Sequence, residues 1–386
     1  MMTTSIQSIR RVIMDPRFKK LAKLLVGYST QVGKGDRVLL QTSTTTPHQM
    51  HVALVEEVRR AGGVMMAPQL MDERLSALCQ AGCTKKQLAA DAAAYMIKML
   101  AADVRIAFRG FDNIMEMSHV PPEDSKRHNQ IITGLCMEEA IENTRWVLTR
   151  WPTPAFAQLA GMSTADFEDF FFNAVLVDYK AMTASVQPLI KLMQRTDKVQ
   201  ILGPDTELSF SIKGIPAVPC TGLRNIPDGE VYTAPVRDSM NGHIHYNTVT
   251  ITKSGQRFGG VRFEIKDGKI INAACDDGDV NLINEILDTD ESARYFGEFA
   301  LGINWGVTKT VGDTLFDEKV GGSLHLTPGM CYDDAPNGNK SAVHWDIILD
   351  QRAEHGGGEI YFDGKPVRKD GLFLPKKLHG LNPPNN

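Results

Sequence analysis

The feature that most constrains this chain is a change of rhythm near residue 195. Before it, short β-branched and leucine-rich runs alternate with stretches of helical apolar spacing. "DRVLLQT" (36–42) follows the Gly33-Lys34-Gly35 turn, and "PHQMHVALVEEVRRAGG" (47–63) reads as a helix stopped by glycine. "VMMAPQL" (64–70) reads as a second short buried strand, residues 85–101 as a helix, and "DVRIAFRG" (103–110) as a further strand. This order predicts parallel strands covered by helices, a Rossmann-like α/β arrangement. The glycine-rich dinucleotide fingerprint is missing, because "GKG" at 33–35 precedes a strand instead of joining strand to helix. "GMSTADFEDFFFNAVLVDYKAMTASVQPLIKLM" is predicted helical throughout, with Ser163 or Thr164 as its cap. Its Phe167, Phe170, Phe171 and Phe172 are expected in the core.

After residue 195 the chain becomes a series of short strands and turns. "IKDGKI" and "YFDGKPV" carry Asp-Gly hairpin signals, so this half is expected to be largely antiparallel β. The predicted partition is an α/β N-terminal domain over 1–195 and an antiparallel α+β catalytic domain over 196–386. A chain of 386 residues is long for a single core.

Composition narrows the partners. A net charge of −4 without a long basic run argues against nucleic acid or an anionic membrane surface and favours a small molecule or peptide. The opening residues lack an uninterrupted apolar run, and no stretch approaches the ~20 apolar residues of a membrane span, so a cytoplasmic, soluble protein is expected. Six scattered cysteines, Cys79, Cys83, Cys136, Cys220, Cys275 and Cys331, suit a reducing compartment. Cys79 and Cys83 have no second pair nearby that would make a zinc knuckle.

Chemistry concentrates in the second half. In "SAVHWDIILD" (341–350), read as a strand, His344 and Asp346 share one face while Val343, Trp345 and Ile347 share the other. An imidazole and a carboxylate in an apolar run need partners, either backbone and each other or a metal ion. Glu230 in "NIPDGEVYTAP", Glu298 in "YFGEFALGIN", and His325 with Tyr332 in "GGSLHLTPGMCY" are set in similar surroundings of apolar residues and glycine. Three carboxylates and two imidazoles, with no cysteine, are the ligand types a two-metal catalytic site uses. His243 and His245 in "GHIHYN" are expected to face solvent.

The ordered motifs GEVYTAP, GEFALG, FDEKVGGSLHL-x-P-G-x-x-Y and N-x-S-A-V-H-W-D resemble those of the M29 family of metallo-aminopeptidases, of the thermophilic-aminopeptidase type. The resemblance runs from about residue 140 to 373. It implies a homodimeric enzyme in which Glu230, Glu298, His325, His344 and Asp346 hold two divalent ions (Zn, Co, Mn or Mg), with Tyr332 at the centre. The implied reaction is hydrolysis of a peptide's N-terminal bond by metal-activated water, with Glu230 or Glu298 as base and Tyr332 toward the oxyanion. Relatives often place an acidic residue directly before the first ligand glutamate, where this chain has Gly229. An alternative uses His325, His344 and Asp346 as a two-histidine, one-carboxylate facial set for Fe(II), as in ring-cleaving dioxygenases of the 2,5-dihydroxypyridine type. Glu230 and Glu298 are superfluous to that chemistry.

Overall fold

The computed structural model describes residues 14–132, 143–252 and 255–384. Cys136 and most of the opening segment fall outside them. Five parallel strands form the first sheet in the order Val64–Met65, Arg37–Ser43, Val104–Arg109, Arg145–Arg150 and Asn225–Ile226. Gln69–Met71 pairs farther along Arg37–Ser43. Helix His48–Ala61 ends where Gly62 takes φ 87°, a left-handed conformation suited to glycine. Helix Lys85–Leu100 starts in a capping box between Thr84 and Gln87.

Two expectations need correction here. The run 64–70 is not one buried strand but two short pieces on the sheet's edge, with Val64 56% and Leu70 64% exposed. Pro68 lies between them, and proline cannot donate to a ladder. The stretch 151–194 is not a continuous helix but three, Pro154–Leu159, Thr164–Val175 and Tyr179–Met193. Each restarts at a capping side chain, from Thr153, Ser163 and Asp178 respectively. The four phenylalanines are buried as expected, and Phe316, far along the chain, packs its ring within 6.4 Å of three of them.

The rest is antiparallel. An eight-stranded sheet runs from Lys269–Ala274 at one edge to Leu372–Phe373 at the other. Its Asp267-Gly268 turn (φ 50° and 78°) and Asp363-Gly364 turn (φ 49° and 74°) are the two predicted hairpins. A five-stranded sheet is ordered Ile347–Asp350, Ser323–Pro328, Phe296–Gly302, Glu230–Thr233, Val218–Cys220. Val231, Phe299, Leu301, Leu324, Leu326 and Ile347 turn one face of this sheet into the common core with Ile201, Phe210 and Phe263 of the larger sheet. The opposite face is left for chemistry. The α/β class with a parallel first sheet and an antiparallel second half is thus the one observed.

The chain crosses between the two assemblies at one informative place. After Cys220 it leaves the five-stranded sheet, pairs as Asn225–Ile226 with Arg145–Arg150, and returns as Glu230–Thr233. Among the described residues no helix is long and apolar enough to cross a membrane.

Candidate metal centre

Strand alternation builds the centre. Glu230 and Tyr232 point away from Val231, Ser323, His325 and Thr327 away from Leu324 and Leu326, and Glu298 and Ala300 away from Phe299 and Leu301. A bulge between Phe296 and Glu298 resets the register ahead of that glutamate. Small residues lie opposite the functional ones: Gly302 pairs with Glu230 and Ala300 with His325, which keeps the face open above the sheet.

His344 and Asp346 depart from the expected strand. The regular ladder begins only at Ile347, and His344 is held by an isolated bridge to Gly329. Gly329 (φ 106°) brings the backbone of Val343 so near that a side chain there would collide with it. The segment is nonetheless extended, so His344 and Asp346 still share a face, with His344 Nε2 3.4 Å from Asp346 Oδ1. Trp345 and Ile347 fill the core behind them.

The five predicted ligands converge. Glu298 Oε1 lies 3.4 Å from His325 Nε2, and Glu298 Oε2 lies 3.4 Å from His344 Nε2. Glu230 Oε2 stands 3.6 Å from His325 Nε2, on the side away from His344. One carboxylate therefore faces two imidazoles, one per oxygen, and each imidazole has a second carboxylate beside it. His344 Nδ1 is 2.9 Å from the Met330 carbonyl, to which it donates, so that Nε2 faces the carboxylates as the atom that takes a cation or, without one, a proton; despite its burial, His344 is raised well above the usual imidazole range by Asp346 and Glu298. Thr327 donates to Asp346 at 2.6 Å. Glu230 Oε2, His325 Nδ1 and His344 Nε2 are buried without a hydrogen-bond partner. Tyr332 is 40% exposed, its ring 4.7 Å from that of His344 and 5.4 Å from that of Tyr232.

Sequence reasoning missed a second layer. Lys319, fully buried, places its ammonium 2.6 Å from Glu230 Oε1, 2.7 Å from Glu318 Oε1 and 3.7 Å from Asp228 Oδ1. Asp228 in turn accepts from the backbone of Gly222 and Gly229. The signal was a lysine inside "FDEKVGG" flanked by buried residues, which no local pattern distinguishes from a solvated one. His243 faces solvent as expected, whereas His245 is half-buried between Asp205 and Asp276; among the described residues neither pairs with a group of the centre.

In the metal-free chain these groups perturb one another strongly. Burial alone would raise the carboxyls of Glu298 and Asp346, but the adjoining imidazoles hold both below the usual carboxylate range. Burial alone would depress His325, yet Glu298 and Glu230 push it up to about 9. Burial pushes Glu318 up to about 8 and Asp228 to about 6, partly countered in both by Lys319.

The donor set fits divalent cations. Asp228, Glu230, Glu298, Glu318 and Asp346 surround two imidazoles and one ammonium. With the five carboxyls ionised, Lys319 charged and both imidazoles neutral, as metal ligands are, an excess of four negative charges remains, the charge two divalent ions carry; uncompensated, it would be costly in a site this buried. Oxygen and imidazole donors without thiolate are compatible with Zn, Co, Mn or Mg.

Gly229 explains why no acidic residue precedes Glu230. It holds φ 134°, and a Cβ there would lie 2.7 Å from the Cβ of Asn304, whose amide donates to the Asp228 carbonyl. Gly229→Ala is expected to destabilise the protein by about 2 kcal/mol or more and to weaken metal binding by displacing Glu230, read from thermal unfolding and a metal titration.

Comparison with known proteins identifies the family and the fold. The model of the thermophilic metalloprotease family M29 matches residues 14–373. Aminopeptidase 2 of Geobacillus stearothermophilus is 31% identical over 169 residues, 39% of this chain and 38% of that protein. Aminopeptidase T of Thermus aquaticus is 30% identical over 172 residues, 40% of this chain and 39% of that protein. The matched stretch thus spans about two fifths of these curated relatives. Among solved structures, wild-type AmpT of Thermus thermophilus shares the fold with a TM-score of 0.77 at 21% identity, over 93% of this chain and 99% of that one. A 2,5-dihydroxypyridine dioxygenase of Pseudomonas putida KT2440 shares it less closely, with a TM-score of 0.60 at 16% identity, over 94% and 98%. With nearly the whole chain matched and the ligand types gathered on one sheet face, the chain belongs to the M29 family of thermophilic metalloproteases.

Proposed function

We propose that this protein is a metal-dependent aminopeptidase that hydrolyses the N-terminal bond of peptides at a two-cation centre. The observation that carries the reading is Glu298, whose two oxygens each face a different imidazole with a further carboxylate beyond. In this reading Glu230, Glu298, His325, His344 and Asp346 would hold the two ions, with Glu230 and His325 on one side of Glu298 and His344 and Asp346 on the other. Two divalent ions so placed supply Lewis acidity toward the scissile carbonyl and a water acidic enough to attack at neutral pH.

The chain's own groups do the rest. Met330 and Thr327 fix His344 and Asp346 in orientation. Glu230 takes the attacking water's proton and returns it to the leaving amine through Oε2, the oxygen that Lys319 leaves without a hydrogen bond and that also faces the cation position beside His325. Tyr332, at the exposed rim beside His344, donates a hydrogen bond to the developing oxyanion. Tyr332→Phe is expected to lower kcat on the order of a hundredfold with metal content unchanged, measured by steady-state kinetics alongside elemental analysis. A homodimeric, cytoplasmic enzyme completes the reading, its assembly tested by sedimentation at assay concentration.

The deciding assay offers aminoacyl-nitroanilides, with free and N-acetylated amino groups, to protein loaded with Co, Zn or Mn. Release of nitroaniline from the free-amino substrate alone supports the reading. Oxygen uptake on 2,5-dihydroxypyridine by the iron-loaded protein, with no amide cleavage, overturns it in favour of the dioxygenase built on His325, His344 and Asp346.

A further inference from the structure

The two cation positions are not equivalent, and the difference lies in Lys319. On the His344 side, His344 Nε2 lies 3.4 Å from both Glu298 Oε2 and Asp346 Oδ1, donor atoms of Glu298, His325 and Asp346 lie within 4.8 Å of one another, and among the described residues no lysine or arginine is paired with either carboxylate. On the Glu230 side, Glu230, Glu318 and His325 offer donor atoms that lie within 4.8 Å of one another, a spacing suited to a single ion. Lys319 already engages two of these three. Its ammonium lies 2.6 Å from Glu230 Oε1 and 2.7 Å from Glu318 Oε1, and Asp228 completes its surroundings at 3.7 Å.

We propose that Lys319 is an internal cation that competes for the Glu230 side of the centre, so that the ion at Glu298, His344 and Asp346 is held tightly and the one at Glu230 and His325 is weak and exchangeable. The inference rests on the two-cation reading above. The argument is one of donors and charge. Glu230 keeps Oε2 for an ion while Oε1 is spent on Lys319, which excludes bidentate binding by that carboxylate. Glu318 is likewise drawn to the ammonium. A fixed positive charge a few ångströms away also repels a divalent ion in this water-poor pocket, whereas the His344 side lies beyond Glu298. Lys319 is 1% exposed, so solvent does little to screen it. The lysine that lowers affinity for the second ion also keeps Asp228, Glu230 and Glu318 compensated while that ion is away, so the centre is preserved in a half-loaded state.

The test is a titration of metal-stripped full-length protein with Zn or Mn at controlled free concentration, read by calorimetry and by elemental analysis of the dialysed protein. The wild type is expected to fill in two steps separated by about a hundredfold or more in free metal, retaining one ion per chain after dialysis. Lys319→Met is expected to narrow that separation at least tenfold and to raise retained metal toward two ions. If Lys319→Met fails to fold, Lys319→Arg keeps the charge and should preserve the two steps. His344→Ala, which removes the tight position, should leave the weak step alone. Two ions bound with equal affinity by the wild type, or a separation unchanged in Lys319→Met, overturns the proposal. These readouts are independent of turnover: two-step binding without amide hydrolysis at saturating metal would refute the aminopeptidase reading and leave the role of Lys319 standing.

Discussion

Replacing His344 with alanine is expected to abolish hydrolysis and to cost the protein its tightly held ion. Several kcal/mol of transition-state stabilisation depend on that position, which corresponds to a rate loss on the order of a thousandfold or more. The imidazole does two things no neighbour can take over. It places Nε2 between Glu298 and Asp346, where an ion would be taken up, and through Nδ1 it ties the segment to the Met330 carbonyl. The fold should survive, because the core contacts of this segment come from Trp345 and Ile347 on the other face. A His344→Ala protein with full metal content and full turnover would sink the assignment.

The second large effect concerns the metal-free protein, whose stability is expected to fall as pH rises from about 6 to 9. Two kinds of group act together. Glu318 and Asp228 have folded-state values raised by burial, to about 8 and about 6, above the ordinary carboxylate range. Between the ordinary carboxylate value of about 4 and those raised values the folded state binds more protons than the unfolded one, so the Asp228 contribution is already lost by about pH 6 while that of Glu318 keeps falling until about pH 8. His325, raised to about 9 by Glu298 despite its burial, contributes stability below its unfolded value near 6.5, and that contribution is lost as pH climbs through 9. The signs agree, so the stripped protein should melt on the order of 10 °C lower at pH 9 than at pH 6. Saturating divalent metal should flatten or reverse the slope, because cations replace the protons. Differential scanning calorimetry across that range, with and without metal, checks both halves; a stripped protein more stable at pH 9 would contradict the account.

What the sequence revealed was what short-range geometry controls. The Asp-Gly turns were legible because two consecutive left-handed residues strongly favour that pair, and the shared face of His344 and Asp346 was legible because alternation assigns faces within a few residues, whereas the set of five candidate ligands came from the family resemblance. The alternation held even for His344 and Asp346, which sit outside the regular ladder, since any extended backbone sends residues two apart to the same side. The exposed edge at 64–70 was not legible: apolar residues there looked buried, and edge placement is a property of the whole sheet. Nor were the helix breaks between 159 and 179, where apolar spacing continues across each cap. Lys319 was the deepest omission. Its ion pair with Glu230 closes over 89 residues, and no local periodicity records which carboxylate a lysine will meet.

The excursion of residues 221–229 to the edge of the parallel sheet gives the centre an unusual anchorage. Glu230 starts its strand four residues after Ile226 ends another in a different sheet, and Asn304 fastens the intervening turn through the Asp228 carbonyl and to helix Thr164–Val175 through the Ala174 carbonyl. Glu230 is laddered into the antiparallel sheet on both sides, through Gly302 and Cys220, and is also joined within four residues to the parallel sheet's last strand, so this candidate ligand is braced against both sheets. The position of Glu230 relative to the other candidate ligands is therefore set by both assemblies at once.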